Sequence, residues 1–140
     1  MTTIYVARSK TLTDWGFDVG LSKNIYKVGL TDEPVKDVIG AGWAGIQDWA
    51  LVKKQDDVDG VTEGEIIERL AAKVKLVDPK LYPRIRDTAG VFRVVPSQVE
   101  NSILVSRTMA GEPDIPNFKV KPADIAAFLI ANALNIVPAL

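Results

Sequence analysis

The sequence predicts an α+β fold: a small, mostly antiparallel sheet flanked by helices. Three observations carry this expectation. Two short β-branched and aromatic runs, Ile4-Tyr5-Val6 and Ile25-Tyr26-Lys27-Val28, stand near the start, and Gly29 ends the second where the chain must leave the sheet. Thr62-Glu63-Gly64-Glu65 opens a stretch with apolar residues at Ile66, Ile67, Leu70, Ala71 and Val74, the spacing of one helical face. The order strand, loop, strand, helix, strand, helix, strand and two helices, with no internal repeat, is that of a mixed fold rather than a solenoid.

Taken in order, residues 2–7 read as the first strand. Residues 8–23 read as a long polar loop with Asp14, Gly16, Asp18, Gly20 and Ser22 as turn formers, anchored by Trp15 and Phe17. Residues 24–29 form the second strand, and antiparallel pairing with the first is the simplest arrangement. Thr31-Asp32-Glu33-Pro34 supplies cap candidates, an acidic first turn and a proline for a helix that Gly40 and Gly42 keep short. Ile46 to Lys54 is the third strand, and residues 55–60, with Asp56, Asp57 and Asp59, are a solvent-facing acidic turn that lacks the spacing of a calcium loop. The helix opened by Thr62 runs until Asp78-Pro79 stops it. Tyr82-Pro83 begins an irregular stretch, and residues 90–95 are a further strand. Ser97-Gln98-Val99-Glu100 is a second capping box, for a helix reaching Met109; residues 111–116 are a linker, and Pro122 starts a last helix.

Composition bounds the chemistry. The 140 residues suit one domain, with 47% apolar and 25% charged residues and a net charge of −1 from 17 basic and 18 acidic side chains. Nucleic-acid contact must therefore come from a local patch rather than from overall charge. Histidine and cysteine are absent. That excludes Ser-His-Asp and Cys-His catalysis, Cys/His zinc sites and disulfides. It leaves Tyr, Lys, Asp or Glu as general bases and hard ions such as Mg²⁺ or Mn²⁺ as metals. Met1-Thr2-Thr3 leads straight into a strand, so no signal peptide is expected, and the cysteine-free composition is compatible with the cytoplasm. The apolar tail from Ile125 to Leu140 is broken by Asn132, Asn135 and Pro138 and falls short of the roughly 20 residues a membrane span needs.

The two tyrosine-bearing runs, the second reading Lys27-Val28-Gly29, resemble the GIY-YIG nuclease superfamily, in particular its diverged branch with Lys-Val-Gly in the second motif. The strand around Gly90-Val91-Phe92-Arg93-Val94 resembles the one that follows the metal-binding helix in that branch. The resemblance covers residues 2–95, implying a GIY-YIG-like domain over 1–95 and a helical extension over 96–140 packed on it. It implies a metal-dependent phosphodiesterase acting on nucleic acid. Tyr5, Tyr26, Lys27 and Lys36 would be its catalytic residues, Glu63 its metal ligand and Mg²⁺ or Mn²⁺ its cofactor. Tyr26 and Lys27 are neighbours on a strand, so only one of them can share a face with Tyr5. The arginine expected on the helix after the second motif is missing, and Lys36 is the basic residue there. A planar guanidinium fork is thereby replaced by a point charge.

The plainer reading of each residue stands beside this one. The tyrosines fit a sheet, Glu63 suits a helix start through the macrodipole, Glu65 caps Thr62, and Glu68 is solvated. The tryptophans Trp15, Trp43 and Trp49 can stack bases or anchor core and loops. Arg69, Lys73, Arg84 and Arg86 head the only basic concentration, a candidate phosphate-tracking surface. The alternative function is a non-enzymatic module of the same fold that binds nucleic acid or protein. The last helix carries apolar residues nearly all round, which predicts a homodimer through this C-terminal helix.

Overall fold

The computed structural model describes residues 2–21, 24–43, 45–58, 60–78, 81, 82, 85, 88–109, 111 and 120–134, apart from the side chains at 106 and 107. It is an α+β fold built on one five-stranded sheet in which every pairing is antiparallel. The strands are β1 (Thr3–Ser9), β2 (Ile25–Thr31), β3 (Trp49–Gln55), β4 (Lys75–Leu76) and β5 (Val91–Arg93), in the order β3-β1-β2-β5-β4. The helices are α1 (Lys10–Asp18), α2 (Val35–Ala41), α3 (Glu63–Ala71), α4 (Pro96–Met109) and α5 (Pro122–Ala133).

Both faces of the sheet are covered, which explains why β1 and β2 are apolar almost throughout rather than alternating. Ile4, Val6, Tyr26, Val28 and Phe92 face one side, against Ile66 and Leu70 of α3 and Ile125, Leu129 and Ile130 of α5. Tyr5, Ala7, Ile25 and Val91 face the other, against Leu12 of α1, Val35 and Ile39 of α2, and Trp49. A bulge in the β1–β3 pairing, between Val6 and Ala7, places Lys54 opposite Tyr5 and Leu51 opposite Ala7. Two β3 residues three apart thus share the Tyr5 face, where a regular strand would alternate.

Four elements depart from the sequence reading. Most of the stretch read as a loop over 8–23 is helix α1, started by the Ser9 hydroxyl, which accepts the Leu12 N–H at 3.1 Å. Asp48 clamps the same end: it accepts from the Ser9 hydroxyl and from the Thr11 N–H and hydroxyl. This long-range cap leaves no trace in a local pattern. Trp15 anchors α1 by meeting Tyr82 edge-on at 5.8 Å, whereas Phe17 is largely exposed. The third strand begins at Trp49 rather than Ile46, because Ile46 is taken up by an isolated antiparallel bridge to Trp43. Helix α3 stops at Ala71, and β4 occupies part of the remainder. Helix α4 begins at Pro96, with proline in the first turn and Ser97 already inside.

The expectation that α5 needs a second copy to cover it also changes. Helix α5 packs on α3, α4, β1 and β3 and buries Ile125, Ala126, Leu129, Ile130 and Ala133 within its own chain. Its exposed apolar positions are the small Ala123 and Ala127.

Candidate functional site

Tyr5, Lys27 and Glu63 come near one another where β2 runs past the end of its pairing with β5. Tyr5 and Lys27 lie on the same face because Tyr5 pairs with Gly29, and Ala7, two residues along β1, pairs with Lys27. Glu63 is the first residue of α3, whose start is fixed by Thr62: its hydroxyl accepts the Glu65 N–H at 3.2 Å. Strand β5 ends its pairing before Leu30, and the Glu63 carboxylate accepts the Leu30 N–H at 3.4 Å. Glu63 therefore caps the open edge of β2 beside the Tyr5 and Lys27 side chains.

Lys27 is 3% exposed. Its ammonium donates to the Val28 carbonyl at 3.1 Å and lies 5.3 Å from the Trp43 ring centre and 5.8 Å from that of Tyr5. Tyr5 and Trp43 stack at 5.7 Å with their planes 16° apart, and Trp43 meets Trp49 edge-on at 5.0 Å. Two glycines make room for these groups. A Cβ on Gly29 would overlap the Tyr5 hydroxyl and stand 3.2 Å from the Lys27 nitrogen; one on Gly90, at φ +78°, would overlap the Val28 carbonyl and crowd the same nitrogen.

The electrostatics follow from this enclosure. Burial lowers the Lys27 pKa below 10.5, and the Glu63 carboxylate opposes the shift. Burial raises the Tyr5 phenol well above its ordinary value, and Glu63 adds to the rise. At neutral pH Tyr5 is therefore a hydrogen-bond donor, not a base. The cluster presents an aromatic wall, a phenol O–H, an ammonium and one carboxylate, a set suited to binding and polarising an anionic oxygen.

The other candidates lie elsewhere. Tyr26 faces the opposite side of the sheet, in the core beside α3 and α5, where burial raises its pKa while the charge and hydrogen bond of Arg8 lower it. Lys36 is exposed on α2 and lines a groove against β3. Arg69 is committed to structure: it donates to the Ala133 carbonyl at 3.0 Å at the end of α5 and pairs with Glu65 at 3.7 Å. Lys73 is exposed, and its carbonyl accepts from Gln98 at 2.9 Å. Arg84 and Arg86 lie outside the described residues. Among the described residues no three His, Cys, Asp or Glu side chains are grouped to hold a metal.

Sequence reading weighed Trp43 only as a base-stacking or anchoring aromatic and Gly90 only as part of a strand, and did not bring Lys54 to the site. The glycine-flanked Trp43 carried a signal as an aromatic on a turn; Lys54 joins the Tyr5 row only through the bulge.

No protein-family model matches the chain, no curated protein matches it, and no solved structure matches its fold at a significant level.

Proposed function

We propose that the chain is a GIY-YIG-like, metal-dependent phosphodiesterase that acts on nucleic acid in the cytoplasm, with Tyr5, Lys27 and Glu63 as its site. The observation that supports this reading is the meeting of Tyr5 and Lys27, from the two motif strands, with the Glu63 carboxylate that opens α3. A lone carboxylate suits Mg²⁺ or Mn²⁺, which completes its shell with water and substrate oxygens. Such an ion supplies polarisation of the phosphoryl oxygen and stabilisation of the leaving oxygen. The protonated Tyr5 phenol orients the nucleophile or a phosphate oxygen by donating a hydrogen bond. Lys27 neutralises charge developing on the phosphate, inside a dry pocket where that charge interaction is strong.

Two observations favour a second reading, a binding module that no longer cleaves. The helix after the second motif offers only Lys36 where the superfamily has arginine, and Tyr5 and Lys27 are almost fully enclosed beneath Trp43. No described helix is long and apolar enough to cross a membrane. A homodimer through α5 would rest on Ala123, Ala127 and the half-buried Phe128, and sedimentation at micromolar concentration tests it.

The deciding experiment titrates Mg²⁺ and Mn²⁺ in a cleavage assay on single- and double-stranded DNA and RNA. Metal-dependent cleavage is expected from the wild type and its loss from Glu63→Gln, with the fold intact. Cleavage unchanged in that variant removes Glu63 from the mechanism. Binding without cleavage at any metal concentration selects the second reading.

A further inference from the structure

We propose that the groove between α2 and β3 is a nucleotide subsite, with Lys36 and Lys54 holding phosphates and the apolar floor receiving a base. This rests on the nucleic-acid reading above and gives the strand a place to lie. The groove encloses about 720 Å³, inside the roughly 300–1,000 Å³ of small-ligand sites. Its floor and wall are Val35, Ile39, Trp49 and Leu51, and its two charged lining residues are both lysines. An apolar trough with cationic sides matches a flat base carried on an anionic backbone.

Its position ties it to the cluster. Lys54 stands directly across β1–β3 from Tyr5. The Trp49 ring in the groove touches Trp43, which stacks on Tyr5, so an aromatic chain runs from the groove to the site. A strand with one nucleotide in the groove would pass close to Trp43, which covers Tyr5 and Lys27. Leu51 is 43% exposed and leaves apolar surface open in the groove. Lys54 currently meets Asp56 at 3.2 Å, but both are about half exposed, and pairs of this kind contribute little and yield readily to a better anion.

The test measures binding of a short fluorescein-labelled oligothymidylate, and of the same backbone with abasic sugars, by anisotropy across a range of salt. Lys36→Gln with Lys54→Gln should weaken binding and flatten the slope of log affinity against log salt by about 1.4, the value for two single-strand phosphate contacts. Lys10→Gln with Lys121→Gln removes the same charge from exposed positions outside the groove and should leave the slope unchanged. Leu51→Asn should weaken the oligothymidylate but not the abasic backbone. Wild-type binding that ignores the groove variants overturns the subsite while leaving the nucleic-acid reading in place. A wild type that binds neither probe overturns both.

Discussion

The Tyr5 ring lies across Gly29, its direct partner on β2, at the point where any side chain would strike its hydroxyl. The glycine of the second motif is therefore required by packing and not by the strand's exit, since β2 runs on past it to Thr31. It clears the floor on which the phenol and the Lys27 ammonium meet.

Gly29→Ala should destabilise the fold by about 1–3 kcal/mol, the usual cost of overpacking a tight site. Tyr5→Phe deletes the overlapping oxygen and should recover part of the loss when combined with Gly29→Ala. Urea unfolding of the two single variants and the double variant gives the coupling. Strictly additive effects would mean that the ring does not rest on Gly29.

The α+β class was legible because its signals are local. Short β-branched and aromatic runs marked β1 and β2, and the Thr62 capping pattern marked α3. What stayed hidden depends on distant partners. Helix α1 is held at its start by Asp48, almost forty positions away, so its polar, glycine-containing sequence reads as a loop. Lys54 faces Tyr5 only because a bulge shifts β3, and no property of the β3 sequence alone announces it. Tyr26 and Lys27 could be separated in principle but not assigned: alternation says that they oppose each other, and only the pairing with β1 says which one joins Tyr5. Arg69 lies in a basic stretch, but its use is set by where α5 ends.

Lys27 predicts an unusual dependence of stability on pH. Its folded pKa lies below its unfolded 10.5, so the unfolded state binds more protons between those values. Stability should therefore rise with pH through that window, from a minimum contribution at neutral pH. Tyr5 acts oppositely: its folded pKa is raised, so its contribution is complete below the ordinary 10.0 and declines as pH climbs beyond it. The net profile should climb on the alkaline side below about 10 and turn over above it. Lys27→Met removes the rising limb. It should also be more stable than wild type at pH 7, because the desolvation of a buried ammonium is no longer required. Denaturant titrations from pH 6 to 11 read both effects; a rising limb that persists in the variant would assign it to another group.

Arg69 and Lys73 should separate structure from binding within one basic stretch. Arg69 holds the last turn of α5 through the Ala133 carbonyl, where a charged donor also complements the negative end of the helix dipole. Because the guanidinium is partly exposed, Arg69→Ala should cost about 1.5 kcal/mol, the lower end for hydrogen bonds to charged groups. It should also speed hydrogen exchange at the end of α5 ahead of α3. The salt dependence of nucleic-acid binding should stay as in wild type, because this side chain is already spent within the fold. Lys73 is exposed at the end of the same region, so Lys73→Ala should leave stability within about 0.5 kcal/mol. A salt slope flattened by Arg69→Ala with unchanged stability would reverse the assignment and return Arg69 to the binding surface.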